Sequence, residues 1–260
     1  MLTLQELRAV GTMALQLPHT LRRRGCWGVQ YLAERNARYP VLLVHGYAST
    51  ELVWTPLRRA LVEAGFGHIV SLNYNSFATD PVAVSVELAN QALQALAAAG
   101  TPRVHLIGHS LGGLIVRHAL AASAVLRSHT ASAVTIASPH RGVSLARIAP
   151  GRCARIMHPG PRPALPEVEA PRPARPEVEA PPPARWLAYY SDGDRVVPPA
   201  SARLDDPCYG AANLLIPGCG HLTICRDARL IRSLVPELIR TETLARPAAP
   251  AGAGGELAAA

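Results

Sequence analysis

Residues 108–113 read "GHSLGG", and the first five fit the pattern G-x-S-x-G with Ser110 at its centre. The stretch joins "RVHLIG" (103–108), with the apolar character of a buried strand, to "LGGLIVRHALAAS" (111–123), which reads as a helix. A Ser on so sharp a strand-to-helix turn sits in strained backbone geometry, and strand and helix approach closely. The positions two before and two after it must therefore be Gly or similarly small, and here they are Gly108 and Gly112. The helix N-terminus then directs free amides at the place where negative charge would develop.

Working outward, the same alternation continues in both directions. "YPVLLVHGY" (39–47) and "HIVSLNY" (68–74) read as strands, with a helix over 51–65 between them that stops at a capping Gly. A further helix is expected over 81–99, beginning at a Pro and carrying Val82, Val86, Ala89, Leu93 and Leu96 at helical spacing. Beyond the motif come "SAVTIAS" (132–138), "RWLAYYS" (185–191) and "AANLLIPG" (211–218) as strands and a closing helix over 226–242. Strands separated by helices, too apolar to be exposed on either face, predict an α/β fold with a mostly parallel sheet covered on both sides.

Between Arg162 and Pro181 a ten-residue unit is written twice, "RPALPEVEAPRPARPEVEAP". Pro recurs too often there for a helix, so 159–184 is expected to be an extended or coil excursion that serves as a spacer. The part after it offers only two strands and a helix, too little for a sheet of its own. The reading is therefore a single domain over 39–242 with the repeat as an insertion. An N-terminal helical segment (1–38) precedes it, and a tail (243–260) follows with nothing to pack.

The 260 residues are 49% hydrophobic and 17% charged, which suits a globular core. The formal charge of +8 comes entirely from Arg, scattered apart from Arg22 to Arg24, and no nucleic-acid motif accompanies it. No nucleic-acid partner is expected. Five Cys, at 26, 153, 208, 219 and 225, show no metal spacing, although Cys208 and Cys219 flank one strand and are placed to pair in an exported protein. No stretch reads as a membrane span of about 20 apolar residues, and no secretory signal is visible, which favours the cytoplasm over export. Leu7, Val10, Ala14 and Leu17 share one helical face, suited to docking on the domain or to peripheral contact with a lipid surface.

Taken together, "LLVHGY", "GHSLGG", "ASPHRG", "YYSDGDRVVPP" and "IPGCGHLTI" stand in an order and spacing that resemble the α/β-hydrolase superfamily, in its lipase- and esterase-like branch. The resemblance covers roughly 39–160 and 185–240. It implies a serine hydrolase of carboxylic esters, with small-molecule or lipid acyl esters as substrate and neither metal nor organic cofactor. Ser110 is then the nucleophile and His221, after the last strand, its base. Of two acids in the loop after "RWLAYYS", Asp194 precedes the "x-V-V-P" run and is the expected third member; Asp192 becomes a turn residue, with Gly193 supplying the permissive backbone. The oxyanion donors implied are the main-chain N–H groups of Tyr47 and Leu111.

His45 is expected to brace the oxyanion loop and His109 occupies the variable position of the elbow. With His140, at a strand end, they are candidates for lining the pocket. The remaining His read as surface or core. An acyltransferase or thioesterase would use the same triad, and a non-catalytic binding protein could keep the fold, so these readings stay open at this stage.

Overall fold

The structure, a computed structural model, describes residues 25–32, 38–159 and 184–245. Its centre is a seven-stranded sheet with the order β1-β3-β2-β4-β5-β6-β7. The strands are β1 (Cys26–Leu32), β2 (Val41–Val44), β3 (His68–Tyr74), β4 (Val104–His109), β5 (Thr130–Ile136), β6 (Arg185–Tyr190) and β7 (Ala212–Leu215). All neighbours run parallel except β1, which pairs antiparallel with β3 at the edge.

The continuous apolar runs follow from burial on both faces. In β2, Leu42 and Val44 face one helical layer, while Val41 and Leu43 face the other. The first layer holds α2 (Pro81–Ala99) and α3 (Leu111–Ala122), packed through Val84, Leu88, Leu114 and Ile115; a short helix, α4 (Ala124–Ser128), follows them. The second holds α1 (Thr55–Glu63) and the closing helix α6 (Ala228–Ala245), with Leu57, Leu61, Leu230, Leu234 and Leu238 in the core. A one-turn helix, α5 (Pro199–Ala202), lies between β6 and β7.

The strands on either side of 160–183 lie side by side: Ser132 to Ile136 of β5 pair with Arg185 to Tyr189 of β6. The repeat itself, the tail from 246 and residues 1–24 and 33–37 lie outside the described residues.

Three expectations are corrected. The described part of the N-terminal segment is not helical: "CWGVQYL" extends along β3, and the sheet begins at Cys26. Its Val, Trp and Tyr favour an extended, half-buried edge.

Second, α2 buries Val84, Ser85, Leu88, Ala92, Ala95 and Leu96, leaving Val82, Val86 and Leu93 exposed. The helix is apolar around most of its circumference, so periodicity fits more than one stripe. The buried face is the one whose small residues admit a close neighbour, with Ser85 Oγ 3.4 Å from the Ile115 carbonyl of α3. By length and composition α2 is also apolar enough to cross a membrane, contrary to the sequence reading; here it packs on the sheet.

Third, the last helix runs to Ala245 because Glu242 is a buried anchor and not a frayed end. Its carboxylate accepts from the Tyr39 amide (3.0 Å), His105 Nε2 (3.1 Å) and Arg38 (3.3 Å), tying α6 to the entry of β2 and to β4.

Glu242→Ala removes the acceptor of the buried His105 Nε2 and of the partly buried Tyr39 amide. It should lower stability by about 1–3 kcal/mol, with roughly 2–4 °C of Tm lost per kcal/mol in a domain of this size. Thermal unfolding followed by circular dichroism checks it, and an unchanged Tm would remove Glu242 from the account.

Candidate active site

Four chain segments meet at the carboxyl ends of the parallel strands. β4 runs into Ser110, whose φ of 53° and ψ of −121° make it one of three non-glycine residues at positive φ among those described. A residue held there costs on the order of 1–3 kcal/mol and persists only when its surroundings over-determine it. Here the Ser110 amide donates to the Ile136 carbonyl at 2.8 Å and the Ser110 carbonyl accepts from Gly113 at 3.1 Å.

The glycines are dictated by space. A Cβ on Gly108 would lie 2.4 Å from backbone atoms of Gly112 and Gly113, and one on Gly112 would lie 2.1 Å from the Val44 carbonyl oxygen. Gly113, which pattern reasoning did not single out, is as tightly placed: its Cβ would meet Ser138 Oγ at 2.0 Å.

The structure brings Ser110, His221 and Asp194 together. Ser110 Oγ is 3.0 Å from His221 Nε2, and His221 Nδ1 is 2.7 Å from Asp194 Oδ2. All three are buried. A carboxylate only accepts, so Nδ1 carries the proton and Nε2 offers its lone pair to the hydroxyl. The second oxygen of Asp194 accepts the amides of Val196 and Val197, each at 2.8 Å, which locks the carboxylate in place.

Asp192 does a different job. Its Oδ1 accepts the Gly218 amide at 2.6 Å, and beside it Ser191 Oγ accepts the Cys219 amide at 2.9 Å. With Thr223 Oγ1 on the Gly220 amide (3.0 Å), three side chains hold the loop that presents His221. Ser191 and Thr223 were not legible in the sequence, since an isolated hydroxyl in a loop carries no pattern. Gly193 is needed for space and not for a left-handed turn: its φ is not positive, but a Cβ would lie 2.7 Å from the Gly218 carbonyl carbon.

His45 does brace the loop after β2, and it does so from outside the pocket. Stacked on Tyr74 at 4.4 Å, it accepts the Tyr74 amide at Nε2 (3.3 Å) and donates from Nδ1 to the Gly46 carbonyl (2.8 Å). In a trans peptide the next N–H points opposite to that carbonyl, which turns the Tyr47 amide away from the His45 ring. Neither the Tyr47 nor the Leu111 amide has an acceptor among the described residues. The Leu111 side chain is in the core.

The cavity over Ser110 has a volume of about 210 Å³, with Tyr47, His109 and His221 around the hydroxyl and Val143, Leu145, Ala146, Met157, Val196 and Val197 among its apolar walls. Of the three candidate lining histidines only His109 lines it. His140 turns into the fold, where Nδ1 accepts from Arg117 (3.1 Å) and Nε2 lies 3.0 Å from Thr135 Oγ1. A polar partner on each nitrogen draws the ring inward. Most of the walls between 143 and 157 lie on two 3-10 turns, Ser144–Ile148 and Arg152–Met157. Pro150 between them cannot donate to a continuous helix.

The expected Cys208–Cys219 pair is not formed: Cys219 Sγ donates to Asp227 at 3.0 Å.

Against known proteins, the family model described as alpha/beta hydrolase fold matches residues 39–154. A triacylglycerol lipase of Pseudarthrobacter phenanthrenivorans is 38% identical over 117 residues, covering 42% of this chain and 35% of that one. One of Burkholderia plantarii is 38% identical over 117 residues, covering 42% and 32%. The chain thus spans about a third of the length of these curated relatives. Among solved structures, a mature lipase of Bacillus licheniformis superposes with a TM-score of 0.64 at 16% identity, over 82% of this chain and 98% of that one. A thermophilic esterase of Thermogutta terrifontis gives 0.57 at 17% identity, over 83% and 93%. These two likenesses establish the fold alone.

Burial holds His45, His105, His109 and His140 neutral. It lowers His45 to about 4 and His109 and His140 to about 3, and it lowers His105 as well. The unfolded chain takes up these protons near the ordinary value of about 6.5. The stability of the neutral forms is therefore fully present above that pH and is lost as pH falls towards 4 and then 3. Thermal unfolding between about pH 7.5 and pH 4 should show Tm falling steadily on the acid side; a flat Tm would contradict it.

Proposed function

The chain is a member of the α/β-hydrolase superfamily, and on that premise we propose that it hydrolyses carboxylic esters of acyl chains through an acyl-enzyme on Ser110. The observation that carries the reading is the unbroken relay from Ser110 Oγ to His221 at 3.0 Å and from His221 to Asp194 at 2.7 Å, set on a strained elbow.

A neutral hydroxyl is a weak nucleophile, so His221 Nε2 takes its proton as Oγ attacks the ester carbonyl carbon. Asp194 holds the ring in the productive tautomer and stabilises the imidazolium that forms. The carbonyl oxygen, now an anion, is met by the Tyr47 and Leu111 amides, preorganised because one peptide is fixed by His45 and the other opens α3. Collapse breaks the bond to the alkoxy oxygen, and the alcohol leaves with the proton from His221. Water repeats the sequence on the acyl-enzyme, releasing the acid and restoring Ser110.

The cavity supports an acyl rather than a polar substrate, since its walls away from the reacting groups are aliphatic. The similarity to proteins named triacylglycerol lipases points the same way.

Ser110→Ala should abolish turnover of a p-nitrophenyl ester and labelling by a fluorophosphonate probe; persistence of either would refute the assignment. The two acids separate cleanly. Asp194→Asn should lower kcat by about 10⁴-fold, the loss expected when the carboxylate is removed from such a relay. Asp192→Asn, which keeps an acceptor for the Gly218 amide, should stay within about tenfold of wild type. Equal losses in steady-state assays would mean that the acid is misassigned.

A further inference from the structure

His109 occupies the free position of the G-x-S-x-G pattern, yet one nitrogen of its side chain is engaged with His221. Its Nε2 lies 2.9 Å from the main-chain carbonyl oxygen of His221, and the two imidazole rings are 4.9 Å apart and tilted by 40°. A carbonyl oxygen only accepts, so Nε2 is the protonated nitrogen and His109 donates. The ring is buried and is flanked by the edge of Trp54, with centroids 6.4 Å apart. The loop after β2 closes its other side: a Cβ on Gly46 would lie 3.1 Å from His109 Nδ1. Burial and the neighbouring His221 both oppose a charge on this ring.

We infer that His109 is a positioning residue for the reaction: it ties the backbone of His221 to the elbow through a second hydrogen bond. The inference rests on the proposed ester hydrolysis. The nucleophile and its base come from segments 111 residues apart in sequence. Without this contact the elbow would be tied directly to His221 by the bond between their reacting atoms, which is broken and remade in every turnover. The contact from His109 to the His221 carbonyl involves no reacting atom, so it persists while Nε2 gains and loses its proton. A neutral donor suits this place, because a cation in contact with His221 would oppose the imidazolium that forms there.

The residue before the nucleophile is the natural one to make this tie. It is the last residue of β4, paired with Ile136 of β5, and its side chain reaches the same His221 that Ser110 Oγ contacts. The acid loop already holds the His221 loop through Ser191 and Asp192. His109 adds the link to the nucleophile itself.

The test compares His109→Leu with His109→Gln in the full chain, using a soluble p-nitrophenyl ester. Gln places its amide nitrogen the same number of bonds from the main chain as Nε2, so it can keep the donor; Leu cannot. His109→Leu is expected to lose about 10- to 100-fold in kcat, the cost of a small displacement of a reacting group, with KM changed less than about twofold. Gln should recover most of the loss. The proton shared by His221 and Asp194, followed by its low-field NMR resonance, should broaden or vanish in the Leu variant and return in the Gln variant. Unchanged kcat and resonance in a folded His109→Leu protein would overturn the inference, as would a Gln variant no better than Leu. A wild-type protein without ester turnover would instead overturn the proposed function, while the resonance comparison still tests the tie.

Discussion

The approach of α3 to β2 and β4 at the elbow is the constraint on which the site depends. Within that contact there is no room for a Cβ at 108 or 112, and one at 113 would run into Ser138 and Thr135 on the β5 side. Because the helix lies so close, the chain must turn through a conformation that an L-residue avoids, and Ser110 is held there by the Ile136 carbonyl and by Gly113. The turn lifts Oγ clear of the sheet and aims the start of α3 at the same point. The strain at one residue is thus the geometric cost of bringing a hydroxyl and a helix N-terminus to one locus.

The rest of the site is assembled around that fixed point by loops that hold one another. Parallel strands deliver their carboxyl ends to one side, so the loops after β2, β4, β6 and β7 meet without long detours. The acid loop does more than supply Asp194: Ser191 and Asp192 grip the backbone that carries His221. Chemistry and scaffolding are therefore shared within four consecutive residues. On the other flank, His45 sets the peptide between Gly46 and Tyr47 and spends both nitrogens doing so.

What could be read from the sequence was what steric or chemical necessity writes into residue type. Gly108, Ser110 and Gly112 mark the turn, whereas Asp194 and His221 were picked out by their likeness to the α/β-hydrolase motifs. Most strands were legible because a strand buried on both faces is mainly apolar, a few buried polar residues such as Ser71 and Asn73 notwithstanding. Other features depend on contacts that leave no local trace. The buried face of α2 could not be chosen from periodicity, since apolar residues surround it. Strand β1 was hidden because an edge strand of mixed polarity resembles a loop until its partner β3 is known. His140 could be placed near the site by its position at a strand end, but Arg117 and Thr135 decide which way the ring turns.

The setting of Asp194 bears on the conditions the site can tolerate. Its side chain is almost wholly removed from solvent, and apart from His221 it is satisfied by the amides of Val196 and Val197, with no Arg on it among the described residues. Fixed peptide dipoles replace a counterion. Dissolved salt screens charges that face water over distances of about 10 Å at 0.1 M, but it does not enter a closed shell of N–H groups. The contact between His221 and Asp194 is therefore screened far less than the charges that face water on this Arg-rich chain.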